Sequence, residues 1–218
     1  MTANPEPWIR SQIYSLLYHA LDYPGEETGL PLTARDGKAF FSELGHSSIR
    51  ERADALFDVI ETAGLEDLQV EYVRLFDYRP ICPPCESAYR KNGRGQDLMA
   101  DLMAFYREAT LECAGDFVPD HLSVEFEFMH FLSFKESRSA DTHTEPWRDL
   151  QKTFLDDHIL TWVPAFCNHL REEAGRPYSL LGDLIREFLS MEQDRLGRGM
   201  IQAMKHVSLG RSQEGGKG

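Results

Sequence analysis

The sequence predicts an all-α protein, a single helical domain of about nine helices. Three observations carry that prediction. Apolar residues recur at the three-and-four spacing of a helix face along most of the chain. No segment shows the strict alternation of a half-buried strand. Proline and glycine cluster between periodic segments, most densely in one long irregular stretch at residues 77–95.

The first helix is marked by Ile9, Ile13, Leu16, Leu17, Ala20 and Leu21, and Pro24-Gly25 stops it. A short second helix is expected over 35–44. Ala53, Leu56, Phe57 and Ile60 mark a third that ends near Gly64, and Leu65, Leu68, Tyr72, Leu75 and Phe76 mark a fourth. Residues 77–95 then contain Pro80, Pro83, Pro84, Gly93 and Gly95, and form a long loop between the fourth and fifth helices. Connections longer than ~12 residues in compact domains are commonly functional.

Leu98, Leu102, Phe105, Tyr106 and Ala109 mark the fifth helix, with Gly115 as its stop. Asp120 is the expected N-cap of the sixth, whose apolar face (Leu122, Phe126, Met129, Leu132, with Phe128 and Phe131 beside it) is wide enough for burial on most sides. Pro146 suits the first turn of a seventh, reaching about Asp157. The eighth covers 159–173, with Pro164 kinking it or lying in its first turn. The ninth begins near Pro177 and runs through Leu180, Leu181, Leu184, Ile185, Phe188 and Leu189. The folded domain is expected to span 1–207, with a disordered Gly- and Ser-rich tail over 208–218.

The 218 residues suffice for one buried core. With 23 Lys+Arg against 36 Asp+Glu, the net charge is -13, a surface that repels nucleic acid and anionic lipid and attracts a basic partner. The longest nearly apolar stretch, 159–167, is far short of the ~20 residues of a membrane helix, and the first ten residues lack a targeting pattern. The expected location is the cytoplasm. Four cysteines are too few for a disulfide scaffold in a chain of this length.

Several constellations invite chemistry. Cys82-Pro-Pro-Cys85 has the spacing of a redox dithiol or half a metal site, but no strand precedes it and Cys113 and Cys167 do not form a second pair. Glu127 and His130 form one Glu-x-x-His, and a di-iron bundle needs two. No Gly-x-Ser-x-Gly and no phosphate-cradling glycine loop occurs. Asp120-His121 reads equally as a helix cap and as part of a binding site, because a histidine in a helix's first turn is disfavoured when charged.

Four segments in order resemble one family. They are Glu71-Tyr72-Val73-Arg74-Leu75-Phe76, then Pro84-Cys85-Glu86-Ser87-Ala88-Tyr89, then Pro119-Asp120-His121-Leu122 with Glu125, and last the run from His158 through Trp162 and Pro164 to Phe166. Together they are similar to the TorD/DmsD/NarJ redox-enzyme maturation chaperones, over roughly residues 10–195. The resemblance implies a TorD-like all-helical fold and no catalysis. It implies a client that is the catalytic subunit of a molybdopterin oxidoreductase, bound through its twin-arginine signal peptide and held until its cofactor is inserted before export. It also leaves room for a weak contact with guanine nucleotide or molybdopterin, with no tightly held cofactor, and the long hinge-like loop allows a domain-swapped dimer beside the monomer.

On that resemblance the client-binding residues are Leu75, Phe76, Glu86, Tyr89, Asp120 and His121, and the chemistry of a basic and apolar peptide adds Tyr72, Glu125 and Trp162. The carboxylates suit arginine, and Tyr72, Leu75, Phe76 and Trp162 suit an apolar segment in a groove, although Leu75, Phe76, Trp162 and Phe166 sit at a helical spacing that more often means core than contact. Cys82 and Cys85 remain the candidates for the alternative, a metal- or redox-active helical protein.

Overall fold

The computed structural model describes residues 5–90, 95–111, 118–140 and 143–211. The elements in chain order are α1 (Pro5–His19), α2 (Gly29–Glu43), α3 (Ser47–Thr62), α4 (Leu65–Phe76), α5 (Glu86–Tyr89), α6 (Gly95–Glu108), α7 (Leu122–Arg138), α8 (Glu145–Phe154), a π turn (Leu155–Ile159), α9 (Leu160–Glu173) and α10 (Arg176–Arg211). All but α5 run to ten residues or more, so the described residues hold the nine helices that the apolar spacing predicts, plus one single turn. Two isolated β-bridges, Gly25 with Thr28 and Cys85 with His121, are the extended pairings among them.

The helix ends differ from the sequence expectation for local reasons. α2 begins six residues earlier than expected, at Gly29, where the backbone turns at φ +67. A Cβ there would lie 2.8 Å from the Asp22 carbonyl oxygen, so glycine is required, and Pro31 falls in the first turn where its missing N–H costs nothing. α6 stops at Glu108. Thr110 (φ 62) donates its N–H to Arg107 and Leu111 donates to Tyr106, a Schellman ending built on threonine. Gly115, the expected stop, lies outside the described residues.

The seventh and eighth expected helices are continuous. α8 passes through the π turn into α9, and Pro164 lies inside α9, where it removes the N–H that the Leu160 carbonyl would accept. α10 runs far beyond Leu189 to Arg211, into the span assigned to a disordered tail. Residues 212–218 lie outside the described ones.

α1 lies along α7 and α2, α3 joins α2 to α10, and α10 returns along α9. The core between them is apolar and aromatic, with Tyr14 packed edge-on against Phe188 at 4.9 Å and tilted against Phe126 at 5.8 Å. One group in it is ionic. The fully buried Arg10 guanidinium donates to Glu136 at 2.7 Å, to Glu192 at 3.2 Å and to Gln151 at 3.2 Å, tying α1 to α7, α10 and α8. Against the opposing effect of burial, Arg10, Arg148 and Arg195 hold the Glu136 carboxyl down at about 2. Sequence reasoning missed this network. The signal available was an arginine standing inside the apolar face of α1, between Ile9 and Ile13.

Candidate functional site

α4 is clamped at its outer edge before it contributes to the site. Glu71 accepts from the Gly175 N–H at 2.6 Å and from Arg74, and Arg74 donates to the Glu173 carbonyl at 2.6 Å, so α4 is tied to the junction of α9 and α10. Both residues belong to the Glu71–Phe76 segment, and neither was expected to act. The clamp points Tyr72 and Phe76 inward. Tyr72 donates its hydroxyl to the Leu21 carbonyl at 3.1 Å, and its ring meets Phe76 edge-on at 5.2 Å. Phe76 meets Tyr178 at 5.2 Å and Phe166 at 6.3 Å. Leu75 is fully buried, and its carbonyl accepts the Cys82 N–H at 2.9 Å, which starts the loop back across the surface.

The loop that was expected to be irregular carries α5, one turn long. A helix this short has no stability of its own, so its order comes from elsewhere in the chain. The Glu86 N–H donates to the Asp120 carbonyl at 2.9 Å, the Ser87 N–H to the Asp120 carboxylate at 3.0 Å, and the Leu122 N–H to the Pro84 carbonyl at 2.8 Å. Asp120 therefore caps α5 and not, as expected, the helix that follows it. α7 is capped instead by His121, whose Nδ1 accepts the Ser123 N–H at 3.2 Å. An Nδ1 that accepts requires the neutral ring, and burial pushes the His121 pKa down, in keeping with that role.

Beneath α5 lies a buried polar cluster. Glu86 is fully buried, and its carboxylate accepts from His158 Nδ1 at 3.0 Å and from the Thr161 hydroxyl at 3.4 Å, and pairs with Arg90 at 2.5 Å. His158 lies in the π turn, which delivers it to Glu86. Glu125, on α7, is also fully buried and accepts the Trp162 indole N–H at 3.1 Å. Burial first, and then the charge of Glu86, push Glu125 well above the usual carboxylate range, so it keeps its proton. Its Oε1 has no hydrogen-bond partner among the described residues, and Glu86 is the carboxylate whose charge acts on it most strongly. Trp162 itself is fully buried and stacks under Tyr89, with ring centroids 5.6 Å apart at 30°. Tyr89 also meets Phe166 edge-on at 6.2 Å and shares a 3.2 Å hydrogen bond with His169.

All nine residues expected to bind a client thus belong to one connected cluster. They lie at two depths. Tyr72, Phe76, Tyr89 and His121 keep part of their side chains at the surface, while Leu75, Glu86, Asp120, Glu125 and Trp162 are buried beneath them. His158, Thr161, Phe166, His169 and Arg90 complete the cluster and were not among the nine. His158, Thr161 and Phe166 lie in the fourth resembling segment, while His169 and Arg90 are identified by the tertiary pairing of the π turn and α9 with α5.

The cysteine pair lacks the low-pKa thiolate of a reactive dithiol. Cys82 is fully buried, Cys85 half-buried, and both are free. Burial pushes the Cys82 thiol up to about 11 and the Cys85 thiol up to about 12, away from the thiolate that metals and disulfides require. Among the described residues, no three His, Cys, Asp or Glu side chains are grouped to hold a metal ion. His130 instead hydrogen-bonds to Ser11, and Glu127 is exposed, so the single Glu-x-x-His is not a ligand pair here. No helix among the described residues is long and apolar enough to cross a membrane.

Comparison with known proteins adds an independent line. The profile of a family described as nitrate reductase delta subunit matches residues 45–168, which spans α3 through most of α9 and holds the whole nine-residue cluster. The chain is similar to the perchlorate reductase assembly chaperone protein of Dechloromonas aromatica (strain RCB), with 25% identity over 204 residues, covering 86% of this chain and 89% of the relative. It is 28% identical over 139 residues to the selenate reductase assembly chaperone protein of Thauera selenatis, covering 61% of this chain and 72% of that one. The chlorate reductase assembly chaperone protein of Ideonella dechloratans is 28% identical over 141 residues, covering 62% and 72%. In fold it matches a crystal structure from Archaeoglobus fulgidus of a protein assigned to redox enzyme maturation, with a TM-score of 0.52 and 22% identity over 83% of this chain and 93% of that one.

Proposed function

The chain belongs to the nitrate reductase delta subunit family, and from that membership we propose that it is an assembly chaperone, not an enzyme, for the catalytic subunit of a reductase. Three similar proteins bear the name of assembly chaperones for perchlorate, selenate and chlorate reductases. The client here is a molybdopterin oxidoreductase subunit, met in the cytoplasm and held until its cofactor is in place. The chaperone recognises the client's N-terminal signal peptide, a segment that combines adjacent arginines with an apolar run.

The observation that carries this reading is the two-depth cluster. Tyr72, Phe76 and His121 offer a partly exposed aromatic face, Tyr89 covers Trp162 beside it, and three carboxyl groups, Glu86, Asp120 and Glu125, are buried in the same cluster. An aromatic surface over buried carboxyls suits a peptide that is both apolar and basic. The protein's net charge of -13 favours its approach.

The test is calorimetric titration of the full chain with the twin-arginine peptide of the reductase subunit encoded beside it, together with capture of that subunit in its apo form. Micromolar or tighter binding to the peptide, with capture of the apo subunit, is the expected result. A protein that ignores both would sink the proposal.

A further inference from the structure

α5 already holds, within the chain, the chemistry that a basic and apolar client would bring. Tyr89 lies on the Trp162 face as an aromatic occupant, stacked at 5.6 Å and 30°. The next residue, Arg90, puts its guanidinium on Glu86 Oε1 at 2.5 Å and donates to the Asp157 carbonyl at 2.6 Å. An apolar group followed by an arginine, seated on an indole and a buried carboxylate, is a small copy of the ligand proposed above.

The seat is larger than this occupant fills. Glu86, Asp120 and Glu125 are close enough to influence one another's charge, and among the described residues Arg90 is the one arginine or lysine in a salt bridge with any of them. Glu125 keeps its proton, as a buried carboxyl does beside other carboxylates. The Arg90 side chain is 35% exposed and bonded through one nitrogen to Glu86, far from the fork-to-fork geometry that makes arginine pairs strong. The turn that ends at Tyr89, with Arg90 as its C-cap, is four residues long and is tied to Asp120 through the Glu86 and Ser87 N–H groups.

We propose that Tyr89-Arg90 is an intramolecular stand-in for the client. A client segment displaces it, takes the Trp162 face with its apolar group, and sets its arginine among Glu86, Asp120 and Glu125. This rests on the reading of the protein as a signal-peptide-binding chaperone, and it explains why five of the nine expected contact residues are buried in the unliganded chain. Self-occupancy keeps an aromatic surface covered until a partner arrives that carries both an apolar and a cationic group, so peptides with only one of the two are rejected.

The test uses the full chain and a fluorescein-labelled synthetic peptide with two adjacent arginines followed by phenylalanine and leucines, read by fluorescence anisotropy. Arg90→Gln and Tyr89→Ala each remove part of the stand-in, and each is expected to tighten binding, by about tenfold for Arg90→Gln. A Tyr89 that merely touched the client would weaken binding when removed, so the sign of the Tyr89→Ala effect decides between the two roles. Hydrogen exchange provides a second readout on the wild type. Bound peptide should accelerate exchange at the Ala88 and Arg90 amides, which donate to Cys85 and Glu86 in the closed turn. If the wild type binds while the folded variants bind no better and exchange at 86–90 slows, the stand-in is overturned and the chaperone reading stands. If neither wild type nor variants bind, both fall together.

Discussion

The Asp120 carboxylate accepts the backbone N–H of Ser87 at 3.0 Å, across 33 residues of sequence. With the Asp120 carbonyl on the Glu86 N–H, this pair is what gives the loop after α4 its one helical turn. Asp120→Ala should therefore cost about 1 kcal/mol, the usual value of a lost N-cap. For a chain of this size that lowers the melting temperature by about 2–4 °C. Asp120→Asn keeps an accepting oxygen and should melt within about a degree of wild type. Scanning calorimetry of the two variants separates cap from charge. An alanine variant that melts like wild type would show that α5 does not depend on Asp120.

Arg10 makes a stronger prediction. Its guanidinium is buried among Glu136, Glu192 and Gln151, and Arg10→Met strands two buried carboxylates on Arg148 and Arg195. Removing one partner of such a group typically costs about 3–5 kcal/mol, most of it the penalty of the charge left behind. Neutralising the carboxylates as well, in Arg10→Met with Glu136→Gln and Glu192→Gln, should recover at least half of that loss. Guanidinium melts of the single and triple variants would check it. A triple variant no more stable than the single one would mean that lost packing, rather than stranded charge, sets the cost.

These two groups also mark where the sequence is legible and where it is not. The apolar positions of α1, α3, α4 and α7 recur at helical spacing, so their existence follows from local pattern. α5 does not, because its cap comes from Asp120, and a proline-rich loop holds no local signal for a turn stabilised from 33 residues away. The same applies to Arg10, which reads as an irregularity in α1 until Glu136 and Glu192 are brought to it by folding. At the site, the nine residues were found together because their segments carry the family resemblance. Their depth was not legible. Tyr72 and Leu75 look alike in a helical pattern, yet one reaches the surface and the other is sealed by the loop that follows.

The thiols give a prediction against the redox alternative. Burial raises Cys82 to about 11, and Cys85 and Cys167 to about 12, so the reactive thiolate is scarce at neutral pH. In a Cys113→Ser background, none of the three should react promptly with Ellman's reagent in native buffer at pH 7, and all three should react in denaturant. Fast modification of Cys82 or Cys85 in the folded protein, or stoichiometric zinc or iron after anaerobic purification, would return the pair to consideration as a working site.

Glu125 ties stability to pH with a definite sign. The folded protein holds its proton more tightly than the unfolded chain does, where such a carboxyl titrates near ~4.3. The stability that this group contributes is therefore complete below the unfolded value and is lost as pH rises toward the folded one, at up to about 1.4 kcal/mol per pH unit within that window. Glu136 acts in the opposite direction. It is held at about 2, so its contribution is present above the ordinary carboxylate range and is lost as pH falls toward 2. The two limbs lie on opposite sides of the ordinary carboxylate value, and Glu125→Gln should flatten only the upper one. The amide still offers an oxygen to the Trp162 N–H, and its own N–H replaces the acid proton facing Glu86. Urea melts of wild type and variant between about pH 5 and pH 8 would read this directly. A variant whose stability declines with pH as steeply as wild type would mean that Glu125 does not hold its proton in the folded protein, and that another group sets the upper limb.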